Sequence, residues 1–312
     1  MKKNKKNILI TGARGFIGKN LIEHLLSFSS SKYSLFYPYH SELDLLDCEK
    51  VQAYLKDKKI DTIVHCANTG GTRKTAYDAG RTDVTSNNLR MFFNLAHCLN
   101  SNMKLINLGT GAEYSIKNYK PKMPENYFDK YVPEDAYGFS KYICSKFAEK
   151  SSNIVSLRLF GVYGKYEDYE YKFISNSIVR NLLGLPIVIS QNVLFDFSYI
   201  NDLVKIIEYF IKNKPKYNTY NLVTGKPIDL ITIAKNINDI SLNPSKIVIK
   251  HPGLNTEYSG SNIRLLKEIG NFTFTPINRA LKNLYSWYKD NINKIDKKLI
   301  YEDKYIQYCR VK

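Results

Sequence analysis

The sequence predicts an α/β protein built on a doubly wound parallel sheet, with a smaller α/β lobe in its C-terminal half. Three observations predict this fold class. Short apolar runs alternate with amphipathic segments through the first half of the 312-residue chain, as they do where helices cross over between parallel strands. A glycine-rich turn follows the first apolar run, and no repeat or Pro/Ser-rich linker divides the chain.

The alternation places the elements of the first half in order. Ile8–Ile10 is predicted as a buried strand, Phe16–Leu26 as the first helix, and Ser27–Ser31 as the turn that ends it. Further strands are predicted at Tyr33–Tyr37, Thr62–Cys66, Lys104–Leu108 and Ile154–Leu159, and further helices at Val51–Leu55, Asp83–Leu99 and Tyr137–Lys150.

The glycine-rich turn Thr11–Gly18 lies between the first strand and the first helix. Gly12 allows a tight turn, Gly15 lets backbone approach a pyrophosphate, and Gly18 lets the helix pack on the strand. The N–H groups that open the helix form an anion site. The turn therefore predicts a dinucleotide site on a Rossmann-type sheet.

After Gly164 the pattern loosens. Helices are predicted at Phe173–Leu183, Asp202–Lys212, Ile231–Ile240 and Ala280–Tyr288, and extended segments at Pro186–Ser190, Tyr220–Val223 and Ile247–Lys250. We expect residues 1–164 to form the dinucleotide-binding domain, with elements from about 191–235 returning to its sheet. Residues 165–312 are expected to form mainly a substrate-binding lobe, in which the charged segment from about Ile292 has no assignment.

Composition and charge limit the functional classes. Hydrophobic residues make up 44% of the chain, and no apolar run reaches the roughly 20 residues of a membrane helix, so no membrane partner is expected. The net charge of +17 is spread along the chain, which favours anionic substrates over nucleic acid. The basic run Met1–Lys6 leads into a strand and does not predict a signal peptide. Five widely spaced cysteines favour reduced thiols in a cytoplasm over disulfides or a metal site.

Two further stretches carry chemistry. Tyr137 and Lys141 share one face of a predicted helix, and an ammonium beside a phenol lowers the tyrosine pKa from its usual value of about 10. Such a phenol exchanges a proton with a carbonyl or alcohol oxygen at physiological pH. Thr110 follows a strand, where its hydroxyl would point into the crevice at the carboxyl end of the sheet. Taken singly, the stretches also fit a solvated helix face and an ordinary turn.

Together and in this order, the three stretches resemble the extended short-chain dehydrogenase/reductase family, and within it the nucleotide-sugar epimerases, dehydratases and reductases. The resemblance runs from Lys6 to about Tyr288. It implies that Tyr137 exchanges the proton at a sugar oxygen, that Lys141 binds the nicotinamide ribose, and that Thr110 polarises the carbonyl.

The resemblance also implies the cofactor-binding residues. They lie in the glycine-rich turn, the acidic segment over the adenine, the ends of the third to fifth strands and the central helix. They are Gly12, Gly15, Phe16, Ile17, Gly18, Asp44, Leu45, Cys66, Ala67, Asn68, Asn88, Leu108, Lys141, Leu159, Phe160 and Val162. Arg158–Gly164 and Asp196–Asp202 match two further family segments, and a homodimer is implied through the helices at Asp83–Leu99 and Tyr137–Lys150.

The second predicted strand and the glycine-rich turn bear on which dinucleotide binds. The strand ends in Tyr37-Pro38-Tyr39-His40, without the acidic residue that holds the ribose 2′-hydroxyl in NAD enzymes. Arg14, aided by His40, would instead attract a 2′-phosphate. NADP(H) is therefore favoured over NAD(H), which stays open if Arg14 is only a turn residue.

The residues after Thr110 restrict which reactions of the family the protein is expected to catalyse. Dehydratases of the family place an Asp-Glu pair where this chain has Gly111 and Ala112, so 4,6-dehydration is not expected. Ser41–Asp47 and Gly70-Gly71 resemble the GDP-fucose synthase branch of the family. That branch epimerises with a cysteine at the position of Ala112.

Two more positions depart from the GDP-fucose synthase branch. Its second epimerisation residue is a histidine in the substrate helix, where this chain has Asn176 or a neighbour, so we expect reduction without epimerisation. Phe195 stands where the branch has an arginine, which leaves the identity of the nucleotide open.

We therefore predict an NADPH-dependent reductase of a nucleotide-linked 4-keto-6-deoxy hexose or heptose in surface-polysaccharide sugar biosynthesis. The predicted substrate-binding residues are Thr110, Gly111, Ala112, Asn176, Arg180 and Tyr258. Arg180 also fits a surface helix position, and Tyr258 a core aromatic. The alternatives are a nucleotide-sugar 4-epimerase that holds NAD tightly and a non-catalytic nucleotide sensor, which would not need the tuned phenol.

Overall fold

The computed structural model describes residues 5–72 and 81–312, so Met1–Asn4 of the basic N-terminal run lie outside the described residues. The helices and strands of the first half are β1 (Lys6–Thr11), α1 (Phe16–Ser29), β2 (Tyr33–Phe36), α2 (Cys48–Asp57), β3 (Thr62–His65), α3 (Asp83–His97), β4 (Lys104–Thr110), α4 (Ala136–Glu149), β5 (Ile154–Leu159) and β6 (Gly161–Tyr163). Those of the second half are α5 (Phe173–Leu182), β7 (Ile187–Asn192), β8 (Leu194–Phe195), β9 (Phe197–Tyr199), α6 (Ile200–Lys212), β10 (Thr219–Leu222), β11 (Ile228–Asp229), α7 (Leu230–Ile240), β12 (Ile247–Leu254), α8 (Ile263–Ile269), α9 (Ile277–Asp290) and α10 (Lys297–Tyr301).

Six parallel strands form the central sheet in the order β10-β5-β4-β3-β1-β2. In its middle, Ile8 of β1 is level with Leu35 of β2 and with Thr62 of β3. The inner strands are buried along almost their whole length, because helices cover both faces of the sheet and leave no polar face. The predicted α/β fold with a doubly wound parallel sheet is confirmed.

The second half of the chain contributes to this sheet as well as to smaller ladders. β10 lies parallel to β5, with Tyr220 level with Leu157. Three short ladders, β7 with β12, β6 with β9 and β8 with β11, lie outside the main sheet. One hydrophobic core runs from Ile8 in β1 through Leu203 in α6 to Leu281 in α9. The boundary predicted at residue 164 stays a prediction, since apolar packing is continuous across it.

Two segments differ from the sequence expectation. α1 continues through Ser29, where a turn was predicted, because the buried Ser29 hydroxyl donates to the Glu208 carboxylate of α6 at 2.6 Å. The segment after Ile292 is folded, with Ile300 and Tyr305 buried in the core. In the described ranges, no helix is both long and apolar enough to cross a membrane.

Candidate active site

A cleft of about 1480 Å³ lies over the carboxyl ends of the central strands. Residues that directly follow or end these strands line it: Gly12 after β1, Cys66 after β3, Thr110 in β4 and Leu159 in β5. Ligands of open parallel sheets bind at this edge. The topology therefore brings together residues that are far apart in sequence.

The glycine-rich turn forms one wall of the cleft. Gly12 has φ +64°, and a Cβ there would lie 2.6 Å from the backbone nitrogen of Ala67. A Cβ on Gly18 would lie 2.5 Å from the Gly12 carbonyl oxygen. α1 begins after Gly15 without a hydrogen bond from a side-chain cap. The first-turn N–H groups are therefore open to an anion, and the turn fits the pyrophosphate of a dinucleotide.

Arg14 extends from this turn onto an aromatic ring. Its guanidinium carbon lies 3.6 Å from the centroid of the Tyr39 ring, and both residues line the cleft. His40 is mostly exposed, with its Nε2 3.5 Å from Asp44 Oδ1. The carboxylate of Glu42 accepts a hydrogen bond from the Tyr39 backbone N–H at 2.6 Å and does not line the cleft. Tyr39 was not predicted as a site residue from the sequence, although it lies beside His40.

Thr110, Tyr137 and Lys141 all line the cleft. The buried Lys141 ammonium donates to the Leu108 carbonyl at 3.1 Å and lies 6.0 Å from the centroid of the Tyr137 ring. The Thr110 hydroxyl accepts a hydrogen bond from the Ala112 N–H at 3.3 Å. A hydroxyl, a phenol and an ammonium thus share one wall, the set that proton exchange at a carbonyl requires.

Two local features hold Tyr137 in place. α4 begins at Ala136, and Asp135 caps it by accepting from the Gly138 N–H at 2.7 Å, so Tyr137 lies in the first turn. The ring of Tyr137 packs on Gly71, which has φ +77° and where a Cβ would lie 2.6 Å from Tyr137 Cγ. A side chain at position 71 would displace the phenol.

The loop after Thr110 is fixed by buried charges. Glu113 Oε1 accepts from the Thr110 backbone N–H at 2.9 Å, and Glu113 Oε2 accepts from Arg158 Nε at 2.6 Å. The guanidinium carbon of Arg158 lies 3.9 Å from the centroid of the Phe128 ring. Neither Glu113 nor Arg158 was singled out from the sequence, because the pairing joins the turn after β4 to a residue of β5 that is far away in the chain.

Tyr258 reaches the same loop from the second half of the chain. Its ring lies 4.9 Å from that of Tyr119, and both residues line the cleft together with Thr110. A Cβ on Gly111 would lie 2.4 Å from the Tyr258 hydroxyl and 2.8 Å from the Phe160 ring. Tyr258 and Ala112 line the cleft as predicted, whereas Gly111 is buried beneath Tyr258 and does not line it. The substrate contact of Gly111 stays a prediction.

Comparison with known proteins decides the family. The sequence profile described as the NAD dependent epimerase/dehydratase family matches residues 8–222. The chain belongs to this family. It is therefore an enzyme of the NAD(P)-dependent class, as predicted.

Relatives of this family member include both epimerases and reductases. The chain is 25% identical over 311 residues to an ADP-L-glycero-D-manno-heptose-6-epimerase of Brachyspira hyodysenteriae, covering 88% of this chain and 95% of that protein. It is 22% identical over 310 residues to a GDP-L-fucose synthase of Dictyostelium discoideum, covering 92% and 97%.

A solved structure of similar fold is the GDP-mannoheptose C4 reductase of Campylobacter jejuni with NADP bound. Its TM-score is 0.80 at 21% identity, and the match covers 92% of this chain and 99% of that one. A UDP-glucose 4-epimerase of Thermotoga maritima matches with a TM-score of 0.76 at 18% identity, covering 92% and 99%. These structural similarities confirm the fold. They do not identify the reaction, which depends on the residues of the site.

In this epimerase/dehydratase family member, most of the predicted cofactor residues line the cleft. These are Gly12, Arg14, Gly15, Phe16, Ile17, Gly18, His40, Asp44, Leu45, Cys66, Ala67, Asn68, Leu108, Lys141, Leu159, Phe160 and Val162. Asn88 does not line it: its amide donates to the Thr69 carbonyl at 2.9 Å and to Ser140 Oγ at 3.2 Å, and accepts from the Thr69 N–H at 2.8 Å. Asn88 therefore supports the loop after β3, and its contact with the cofactor stays a prediction.

Asn176 and Arg180 are also held away from the cleft. Asn176 is buried and donates to the Tyr169 carbonyl at 2.9 Å. Arg180 donates to the Pro186 carbonyl and to Asp303 Oδ1, each at 2.6 Å. These hydrogen bonds fix α5 and the segment beyond α10, and the contacts of Asn176 and Arg180 with substrate stay predictions.

Burial shifts the pKa values of two residues near the catalytic wall, His65 and Cys66. Burial lowers the pKa of His65 to about 3, and its Nδ1 lies 2.8 Å from the Thr11 hydroxyl. Burial raises the pKa of Cys66 to about 12. Both side chains are therefore neutral near pH 7, which leaves proton transfer at this wall to other groups.

The far end of the cleft contains residues that were not predicted as site residues from the sequence. Elements of the second half line it, together with the last residues of the chain. They are Glu167, Lys172, Phe173, Ile174, Ser190, Gln191, Val193, Phe195, Phe197, Leu230, Asn255, Thr256, Tyr305, Cys309, Arg310, Val311 and Lys312. We call this part of the cleft the distal chamber.

Proposed function

We propose that this chain is an NADPH-dependent reductase of a nucleotide-linked keto sugar, namely a 4-keto-6-deoxy hexose or heptose. The observation that carries the proposal is the wall formed by Thr110, Tyr137 and Lys141 between the glycine-rich turn and the distal chamber. That wall supplies proton transfer, while the neighbouring position 112 is an alanine.

The proposed mechanism assigns one task to each side chain. When bound, NADPH supplies a hydride to the carbonyl carbon of the sugar. The Thr110 hydroxyl donates a hydrogen bond to the carbonyl oxygen, and Tyr137 donates its phenolic proton to the same oxygen as negative charge develops there. The Lys141 ammonium, held by the Leu108 carbonyl at 3.1 Å, stabilises the phenolate that remains.

The cofactor preference rests on the end of the cleft near β2. The guanidinium of Arg14 lies over the Tyr39 ring, 3.6 Å from its centroid, and so presents N–H groups beside the proposed site of the adenine ribose. A phosphate binds such a fork through charge-assisted hydrogen bonds. The NADP in the structure of the Campylobacter jejuni reductase, which shares this fold, supports the same preference.

Dehydration and epimerisation are disfavoured by the loop after Thr110. Gly111 has no room for the acidic side chain that a dehydratase places there, since a Cβ already meets Tyr258 and Phe160. Ala112 carries no acid or base. Both carboxylate oxygens of Glu113 are engaged by Thr110 and Arg158.

A screen tests the proposal directly. Keto sugars linked to GDP, ADP, CDP, dTDP and UDP are incubated with the protein and NADPH, and the loss of NADPH absorbance is followed. Reduction of at least one substrate, with a new alcohol at C4 seen by NMR, is expected. Interconversion of 4-epimers without net NADPH consumption, with NAD retained through purification, would contradict it.

A 6-epimerase is the second candidate, because the Brachyspira hyodysenteriae relative carries that name. Epimerisation at the 6-position of a heptose would be detected in the same screen as a change of configuration with no net change in NADPH. The Thr110, Tyr137 and Lys141 set also serves transient oxidation and re-reduction, so the product decides between the two.

We also propose that two copies pair through α3 and α4, in the cytoplasm. An aromatic surface on these helices supports pairing: Phe93 and Phe147 lie with ring centroids 5.1 Å apart, and Phe147 is 38% exposed. The five cysteines are free thiols, which fits a reducing compartment. Light scattering is expected to give a dimer mass, and Phe147→Glu is expected to reduce it to that of a monomer.

A further inference from the structure

The segment 304–312 folds back onto the second half of the chain. Tyr305 is buried, and its ring lies 6.3 Å from that of Phe173 at the start of α5. Just before it, Asp303 accepts a hydrogen bond from the buried Arg180 guanidinium at 2.6 Å. These contacts anchor the beginning of the segment beside the distal chamber.

The end of the segment is held by two residues that also line the chamber. The Asn255 side chain donates to the Arg310 carbonyl at 2.8 Å. The Lys312 backbone N–H donates to Gln191 Oε1 at 2.9 Å, and Gln191 lies in β7. Backbone hydrogen bonds therefore fix Arg310 on the wall of the cleft.

The segment brings positive charge to the distal chamber. Among the described residues that line this chamber, the Lys and Arg side chains are Lys172, Arg310 and Lys312. Arg310 and Tyr119 line the same cleft, where burial raises the pKa of Tyr119 and the charge of Arg310 opposes that rise. The ring of Tyr119 lies 4.9 Å from that of Tyr258, and both line the cleft together with Thr110.

We propose that Arg310 binds the diphosphate of the nucleotide sugar. A guanidinium presents its N–H groups in a fork that matches phosphate oxygens, and the surrounding positive charge attracts a dianion. Phe195 in β8 lines the same chamber and has an uncharged side chain. The guanidinium that we assign to the diphosphate is therefore that of Arg310, near the end of the chain. This inference rests on the proposed function, because it assumes a diphosphate-linked substrate.

The test uses nucleoside diphosphates as probes. GDP, ADP, CDP, dTDP and UDP are titrated by calorimetry into the full chain saturated with NADP⁺, together with the matching nucleosides. At least one diphosphate is expected to bind the wild type, and Arg310→Gln is expected to weaken it about tenfold or more. The affinity for the nucleoside and for NADP⁺ should not change, and Arg310→Lys should retain part of the diphosphate affinity.

Lys304→Gln is the matched control, since Lys304 lies in the same segment, pairs with Glu302 and does not line the cleft. It should bind the diphosphate as the wild type does. An Arg310→Gln variant with wild-type diphosphate affinity would overturn the assignment while the reductase screen could still succeed. A wild type that binds none of the diphosphates would overturn the assignment, and absence of NADPH consumption would then also refute the proposed function.

Discussion

Glu113 and Arg158 form an ion pair that is completely buried, with Arg158 Nε donating to Glu113 Oε2 at 2.6 Å. Because Glu113 also accepts from the Thr110 backbone, one carboxylate connects β5 to the end of β4 directly beneath the catalytic wall. Buried pairs of this kind add little net stability compared with apolar residues, but removal of one partner leaves an uncompensated charge. The pair therefore fixes the position of the Thr110 loop.

Glu113→Gln is expected to destabilise the protein strongly. The substitution removes the closest carboxylate from the buried Arg158 charge and leaves Glu149 Oε1 at 3.9 Å from its guanidinium. Breaking a buried pair in this way typically costs about 3–5 kcal/mol in the free energy of unfolding. Urea denaturation followed by circular dichroism measures this. Glu134→Gln is the control, because Glu134 pairs with Lys117 on the exposed surface and should change the free energy by less than about 1 kcal/mol. Equal effects of the two substitutions would contradict the role of the buried pair.

Tyr137→Phe is expected to abolish turnover while NADPH binding stays nearly intact. The variant removes the phenolic proton donor and keeps the ring that packs on Gly71. Steady-state kinetics and NADPH fluorescence titration separate the two effects. Tyr142→Phe, on the same helix and bonded to Asp129 away from the cleft, should retain turnover. Unchanged turnover in Tyr137→Phe would remove this residue from the mechanism.

Arg14→Ser is expected to lower the preference for NADPH over NADH by about tenfold or more, since a charge-assisted contact with the 2′-phosphate is lost. The ratio of kcat/KM for the two cofactors gives the preference. Lys50→Gln provides a control for surface charge, because Lys50 pairs with Asp47 outside the large cleft. A preference that stays as in the wild type would show that Arg14 does not contact the phosphate.

Reduction in D₂O is expected to place no solvent deuterium at C3 or C5 of the sugar. Ala112 lines the cleft without an acid or base, and Asn176 is held by backbone carbonyls outside it. The product is isolated after complete conversion and its deuterium content read by mass spectrometry and NMR. Appreciable incorporation at either carbon would show that epimerisation occurs.

Glu167→Gln is expected to reduce the loss of stability between about pH 4.5 and 8. Burial raises the pKa of Glu167 to about 8, against about 4.3 for an unfolded glutamate. Between these values the folded state holds a proton that the unfolded state has lost, so stability falls as pH rises. The amide keeps the acceptor for the Ser175 hydroxyl at 2.5 Å. Thermal unfolding across this range should show a shallower decline in the variant than in the wild type.

The sequence was sufficient to predict those site residues that the parallel topology by itself brings together. Gly12, Cys66 and Thr110 end or follow neighbouring strands, so any doubly wound sheet places them at one edge. Contacts between loops could not be predicted from the sequence. Nothing local to Gly71 indicates that the Tyr137 ring will lie on it.

For α5 the sequence pattern carries less information, for a related reason. The side chains of Asn176 and Arg180 are hydrogen-bonded to other parts of the protein, and their predicted contacts with substrate stay predictions. Residues 173–181 are all buried, so the helical period does not mark which face meets the substrate. No structure was assigned to the segment beyond Ile292 because charged residues dominate it. Its few apolar residues that pack in the core, such as Tyr305, give no recognisable pattern.

The hydrophobic core is continuous from β1 to α9, and this affects how enzymes with this fold can evolve different substrate ranges. Because the two halves share one apolar interior, a half transplanted from a relative would meet a mismatched partner surface. New substrate ranges are therefore expected to arise by substitutions along the rim of the distal chamber, at positions such as Phe195, Asn255 and Arg310. Engineering of substrate choice should begin with grafts at the rim and leave the interior as it is.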